Sequence, residues 1–297
     1  MKNPSQYSLL LFVLLGSCSG CQKLTTQPTP AQEAPVVACL IATQTTKQLV
    51  GPAQQSQLER ETVTIGNESF QVSTVKKSVY SYDKQGRILT EYNQYLEANQ
   101  IRYGGGSTDS VFYQYSPMAV SRRTVAFAES GKRERVDVVA LDSRGFAEEQ
   151  PTTNLATYDK DGYLTTLRDQ HGKPIARIDN GNVVEYHFSD SPATPSYIYK
   201  YEFDLRRPGL PSVRSFYGKP SRNLPIRYTV DEKSLFGSGK LNALVGTYTY
   251  VFNENGSVKR QILRDKENIP IIYGGNDVEV NDFAYLCPWP SIKETSL

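Results

Sequence analysis

Apolar and polar side chains alternate with a period of two along most of this chain. The clearest run is 197–203, with Tyr197, Tyr199, Tyr201 and Phe203 on one side and Ile198, Lys200 and Glu202 on the other. Successive side chains of a strand point to opposite faces, so such runs predict half-buried β-strands. The same reading places strands at 38–45, 70–75, 111–115, 121–128, 183–188, 227–230, 269–273 and 282–286, with a weak one at 62–65. No long segment repeats every 3.6 residues, so no helix is predicted.

The breaks between these runs share one chemistry. Asp83-x-x-Gly86, Asp142-x-x-Gly145, Asp159-x-x-Gly162 and Asn253-x-x-Gly256 each set an Asp or Asn three residues before a glycine. The side chain accepts a backbone N–H two residues on, and glycine takes the left-handed position before the next strand. Hairpins are therefore expected at 76–90, 155–166 and 247–263, and 133–140 is expected to pair across 141–145 with 146–147. Asp179-Asn180-Gly181-Asn182, between 174–178 and 183–188, is a two-residue hairpin signal. Loops are expected at 47–66, at 99–108 with Gly104, Gly105 and Gly106, and at 235–244. Pro208, Pro211 and Pro220, with Gly209 and Gly218, make 204–222 the longest irregular stretch, expected to be a lid, cap or surface loop. The fold class is all-β: an antiparallel meander of successive hairpins, about fifteen strands, forming a large curved sheet or an open barrel-like shell.

Composition sharpens this picture. The 297 residues include 20 tyrosines against 11 phenylalanines and one tryptophan, a bias suited to sheet faces where a ring is half covered and its hydroxyl stays wet. With 33 basic and 31 acidic side chains, the net charge of +2 gives no pull toward nucleic acid.

The N-terminus reads as a targeting segment. Leu9 to Leu15 form an apolar core too short to span a bilayer, and small residues with Cys18 and Cys21 follow at once. Leu15-Gly16-Ser17-Cys18 resembles a bacterial lipobox, whose cysteine is lipidated and becomes the new N-terminus. The leucine three before it selects Cys18, and Cys21 is the competing register. The organisation is thus a lipoprotein signal peptide at 1–17, a Pro-rich flexible tether at 18–35, one all-β domain at 36–290 and a tail at 291–297. Export permits a disulfide between Cys39 and Cys287, with two buried free thiols as the alternative.

Catalytic motifs fail on inspection. Aligning Gly162 with the invariant glycine of a calcium loop puts Arg168 where a bidentate Glu belongs. Gly237-Ser238-Gly239-Lys240 lacks both the first glycine of a phosphate loop and the Ser or Thr that follows the lysine. His171 and His187 are the two histidines, and no nucleophile motif accompanies them. No cofactor or metal is expected. A carboxylate pair for glycoside hydrolysis is defined in space and not in sequence, so it stays open. Tyr80, Tyr82, Tyr113, Tyr115, Tyr197, Tyr199, Tyr201, Tyr248 and Tyr250 form potential cross-strand ladders. Exposed, such a stripe stacks on sugars or anchors a protein; buried, it is core.

Tyr80-x-Tyr82-Asp83-x-x-Gly86 and Tyr158-Asp159-x-x-Gly162 resemble tyrosine-aspartate (YD/RHS-like) repeats, which build β shells in large bacterial surface proteins. A wider set runs in order: Asn180-Gly181-Asn182-Val183-Val184, Tyr199-x-Tyr201-x-Phe203-Asp204, Gly218-Lys219-Pro220-Ser221-Arg222-Asn223-Leu224 and Tyr248-x-Tyr250-x-Phe252-Asn253-x-x-Gly256. Together these resemble a Bacteroidetes lipoprotein domain of unknown function with a porin-like β fold, over roughly 36–290. The resemblance implies an exported all-β lipoprotein and no activity. The expectation is a non-catalytic cell-envelope scaffold or binding module; the alternative is a carbohydrate-binding or glycan-hydrolysing envelope protein. The expected partners are the membrane, through an N-terminal lipid at the outer membrane, and an envelope protein or glycan. Tyr197, Tyr199 and Tyr201, beside the irregular stretch, and Tyr217 within it are the candidate binding residues. A Cys18→Ala, Cys21→Ala double variant is expected to leave the membrane fraction in cell fractionation; retention there would refute the anchor.

Overall fold

The computed structural model describes residues 39–49, 60–96, 106–128, 131–150, 154–188, 196–233, 244–266 and 278–287. The signal peptide, tether, Cys18, Cys21, the 269–273 strand, the phosphate-loop-like 237–240 and the tail lie outside them. The first half supplies β1 (Leu40–Leu49), β2 (Arg60–Ile65), β3 (Glu68–Tyr82), β4 (Ile88–Tyr95), β5 (Gly106–Ser116), β6 (Ala119–Ala128) and β7 (Gly131–Ala140). A short hairpin follows, β8 (Leu155–Tyr158) and β9 (Leu164–Arg168). The second half supplies β10 (Ala176–Asp179), β11 (Asn182–Phe188), β12 (Ser196–Pro208), β13 (Asn223–Lys233), β14 (Leu244–Phe252), β15 (Val258–Lys266) and β16 (Val278–Leu286).

All strands but β8 and β9 belong to one fourteen-stranded sheet ordered β10-β11-β12-β13-β14-β15-β16-β1-β3-β4-β5-β6-β7, with β2 beside β3. Its pairings are antiparallel throughout. The expected antiparallel curved sheet is present, and its two meandering arms are joined where the first strand pairs with the last, Leu40 opposite Leu286 through Gln48 opposite Glu279. Alternation alone cannot see this pairing, because its partners are separated by most of the chain; the Cys39–Cys287 bridge considered above is the one sequence signal that brings these ends together.

The sheet is strongly curved. Val120 of β6 and Leu224 of β13 belong to one apolar cluster with Ile41, Tyr80, Ile88, Val111, Tyr113, Val258 and Phe283. Eight strand steps separate β13 from β6, about 38 Å if the sheet were flat, so the arms must curl toward each other. The sheet is not closed into a barrel. Its edges β7 and β10 are linked through other pieces: Glu148 N–H donates to the Ala140 carbonyl (3.4 Å), Ala156 to Glu148 (3.0 Å), Ile175 to Leu167 (3.0 Å) and His187 to Ile175 (2.8 Å). Hairpin β8–β9 sits in this bridge. Two expectations change here. Segment 133–140 pairs with β6, and 146–147 makes only a bridge from Ala147 to Leu141. Strand β12 runs on to Pro208, opposite Asn223, so only 209–222 is irregular.

The turns follow the sequence closely and add a fifth. Oδ1 of Asp83, Asp142 and Asp159 accepts N–H groups two and four residues on, at 2.9–3.0 Å. Asp169 does the same for His171 and Lys173, each at 2.9 Å, ahead of Gly172. At 253–256 the backbone turn is the same, but Asn255 supplies the side-chain acceptor, to Ser257 at 3.0 Å. Asn180 (φ 46°) and Gly181 (φ 73°) form the two-residue turn of β10–β11.

Register shifts explain part of the tyrosine bias. Tyr82 donates to the Ile41 carbonyl, Tyr250 to Pro225 and Tyr285 to Val258, each at 2.7 Å. All three acceptors border β-bulges, where ladder bonding is interrupted. A phenylalanine there would leave the carbonyl unsatisfied.

The junction of the arms is braced twice. Cys39 and Cys287 form a disulfide, ending the choice left open by the sequence. On the opposite sheet face from the main cluster, Lys47, Glu61, Arg260 and Asp282 close a ring of ion pairs across β1, β2, β15 and β16. Lys47 meets Glu61 and lies 2.7 Å from Asp282; Arg260 is 2.7 Å from Glu61 and grips Asp282 with two contacts, at 2.5 and 2.8 Å. Burial works to raise the carboxyl pKa values of Glu61 and Asp282, but hydrogen bonds and charge from Lys47 and Arg260 outweigh it and hold both low. These groups are partly open to water, so each pair contributes about 1 kcal/mol or less. The disulfide closes a sequence separation of 248 residues, for which loop entropy gives about 5 kcal/mol. Cys39→Ser, Cys287→Ser is expected to lower the urea midpoint clearly, and an unchanged midpoint would show that the bridge does not constrain the unfolded chain.

Candidate binding face

The inner face of the curved sheet divides into an apolar half, a polar band and a tyrosine half. Residues 209–222 cap the apolar half. Phe216, in a short 3-10 turn (Ser215–Tyr217), is 3% exposed and inserts into the main cluster. The cap is bonded at several points: Ala147 N–H to the Phe216 carbonyl (2.7 Å), Lys219 N–H to Gly162 (2.8 Å) and Arg222 N–H to Gly181 (3.1 Å).

Its strongest attachment is Arg214. Nη2 lies 2.6 Å from Glu91 Oε2, and Nε is 3.2 Å from the same oxygen and 3.0 Å from the Tyr113 hydroxyl. Tyr113 donates to Glu91 at 3.1 Å, and Asn93 donates to Glu91 at 3.0 Å and to Asp109 at 2.7 Å. The Glu91 side chain is 4% exposed, that of Arg214 37%. Burial favours a neutral Glu91, but the Arg214 charge, with bonds from Asn93, Arg214 and Tyr113, overrides it and holds the carboxyl below its ordinary value. The polar band continues with Ser78 on Asn93 (2.6 Å) and Gln44 and Thr46 on Asn281 (3.0 and 2.8 Å).

The tyrosine half is built by register. Tyr186 of β11 lies opposite Tyr199 of β12, Tyr201 opposite Tyr228 of β13, and Tyr228 opposite Gly246 of β14. Ring centroids are 6.2 Å apart for Tyr199–Tyr228, 6.0 Å for Tyr201–Tyr228 and 6.1 Å for Tyr228–Tyr248. Along the strands, Tyr199–Tyr201 and Tyr248–Tyr250 stack at 6.5 and 6.4 Å. Gly246 makes the arrangement possible: a Cβ there would lie 2.0 Å from the Tyr228 ring. The ring crosses β14 over this gap, and its hydroxyl donates to Asp265 on β15. Burial and the Asp265 carboxylate both keep Tyr228 protonated. Burial likewise pushes Tyr201 up to about 12.

The predicted residues separate in space. Tyr199 and Tyr201 share the ladder, and Tyr197 lies farther along β12, opposite Glu232. Tyr217 is on the cap, 4.4 Å from Phe216. Tyr80 and Tyr113 are core, with Tyr82, Tyr115 and Tyr250 packed against it. Tyr199, Tyr201 and Tyr248 are half-buried and belong to no apolar cluster. Sequence reasoning missed Tyr186, Tyr228 and the Arg214–Glu91 pair; Gly246, which the sequence set just before the 247–263 hairpin, lies inside β14, where a glycine marks close approach of another group. His187 meets Glu185 at 2.7 Å on the outer surface, and His171 sits in the fifth turn.

Two cavities adjoin this face. One, about 580 Å³, is lined by Tyr248, Tyr250, Phe252, Leu224 and Arg207; Arg207 there covers the Phe252 ring at 4.5 Å. The other, about 280 Å³, lies between Tyr186 and Tyr217.

Arg214→Met is expected to cost about 2–3 kcal/mol at pH 7, less than the 3–5 typical of fully buried pairs because Arg214 is partly solvated. Glu91 has a depressed folded pKa, so the latch contributes above the unfolded value of 4.5 and is lost as pH falls through the lower folded value. Urea unfolding of both proteins at pH 7 and pH 3 is expected to show the gap narrowing in acid; an equal gap would contradict the latch.

No family model and no curated protein matches the chain. Among solved structures, it is similar to a porin-like protein from Bacteroides uniformis ATCC 8492, with 13% identity, 83% of this chain and 98% of that chain covered, and a TM-score of 0.44. It is also similar to a porin-like protein from Bacteroides vulgatus ATCC 8482, with 11% identity, coverage of 85% and 100%, and a TM-score of 0.27.

Proposed function

We propose that the protein is a non-catalytic binding module of the bacterial cell envelope, held to the membrane by a lipid on Cys18, with its inner tyrosine face as the binding surface. The observation that carries the reading is the state of Tyr201 and Tyr248. Both rings are half-buried outside every apolar cluster, and neither hydroxyl has a hydrogen-bond partner among the described residues. Neither hydroxyl is among the buried unpartnered atoms, so each ring keeps a solvent-accessible polar tip beside four more tyrosines. Rings with one apolar face and one wet end are typical anchors for sugars and for protein partners. The Pro-rich, polar composition of 18–35 supports a flexible tether between the lipid and the folded domain.

Hydrolysis of a glycan is the second reading. Asp265 and Glu279 both bear electrostatically on Tyr248. Each is already engaged as an acceptor, Asp265 from Tyr228 and Glu279 from Asn281 at 2.9 Å, which favours binding over bond cleavage. Crosslinked pull-down from native envelopes is expected to recover a partner with the wild-type chain and to lose it with Tyr201→Ala, Tyr248→Ala, provided circular dichroism shows the variant folded. Equal recovery by both proteins would remove the tyrosine face as the binding surface.

A further inference from the structure

The bridge between the sheet edges is irregular, and it leaves the cavity of about 280 Å³ between cap and hairpin. Tyr217 walls it from the cap and Tyr186 from β11, with Leu164 and Leu167 of β9 supplying apolar surface. Both tyrosine rings are half-buried, and neither hydroxyl has a partner among the described residues. Gln150 also lines the cavity; its amide nitrogen donates to the Tyr158 hydroxyl at 2.5 Å, which fixes the side chain and leaves its carbonyl oxygen as an acceptor. Among the described residues no carboxylate lines the space, and the one charged lining group, Lys219, holds its ammonium over the Tyr163 ring at 4.8 Å.

This set of groups selects a ligand class. Two aromatic walls and two leucines suit the C–H faces of a small ring. Free phenolic hydroxyls and an amide oxygen suit a ring that carries its own hydroxyls. A cationic ligand would meet no carboxylate among the described lining residues, an anionic one only an ammonium already seated on the Tyr163 ring, and a purely apolar one would strand both tyrosine hydroxyls. The volume admits one such ring. Tyr186 stands opposite Tyr199 in register and bears electrostatically on Tyr201, so the cavity lies beside the ladder.

We propose that this cavity receives one sugar ring at the end of a neutral oligosaccharide whose next units lie on the Tyr199–Tyr201 ladder. The inference rests on the inner tyrosine face being the binding surface and names its ligand class. The test is calorimetry of the full chain with neutral oligosaccharides built from glucose, mannose, xylose and N-acetylglucosamine, using wild type, Tyr186→Phe/Tyr217→Phe and Tyr201→Ala/Tyr248→Ala. The phenylalanine pair keeps both rings, so the cavity keeps its shape. At least one oligosaccharide is expected to bind, weakened about threefold to tenfold for each hydroxyl removed and abolished in the ladder variant. Binding indifferent to the phenylalanine pair would overturn the cavity assignment. If no neutral sugar binds while envelope pull-down still depends on Tyr201 and Tyr248, the sugar inference fails and the binding face stands. A sugar bound equally by all three proteins would sink both.

Discussion

Strand β1 is hydrogen-bonded to β16 along one edge and to β3 along the other, so the two ends of the chain meet in the middle of the sheet. Without that seam there would be two separate meanders, each with two raw edges and half a core. With it, residues from both arms face one interior, and Val258 and Phe283 join Val111 and Val120 in a single cluster. The disulfide and the Lys47–Glu61–Arg260–Asp282 ring both sit on this junction. Bracing is concentrated where loop closure is most costly, since the paired strands lie more than two hundred residues apart.

Curvature then sets a second problem. A sheet that curls without closing exposes its interior at the gap. Hairpin β8–β9 spans the gap, and segment 209–222 covers the apolar half from within. Phe216 supplies the apolar part of that attachment and Arg214 the polar part, on Glu91. The tyrosine half is left uncovered by the cap. Its rings are positioned by strand register, and the central one by the missing side chain at Gly246. A face ordered this firmly in its free state loses little entropy on binding.

Most strands were legible because period-two alternation reports half-burial directly, as at 197–203. The turns were legible because Asp-x-x-Gly is local chemistry; Asp169-x-x-Gly172 follows the same rule, but shorter, weaker strand runs flank it. The seam, the latch and the ladder were not legible in that way. Tyr199 and Tyr201 share a face by local geometry, whereas Tyr228 joins them only through a register fixed across strands. Glu91 and Arg214 are 123 residues apart, and no local pattern marks either as the other's partner. Prolines signalled the irregular stretch correctly but placed its start too early, because Pro208 is tolerated at the end of β12.

The central claim is that the β1–β16 seam makes one cooperative sheet out of two arms. Native-state hydrogen exchange tests it most directly. The amides of Thr43–Gln48 in β1 are expected to exchange only through global unfolding, with the same free energy as the slowest amides of β4 and β14. Exchange of β1 and β16 through a lower-energy local opening, while β4 and β14 stay protected, would contradict it.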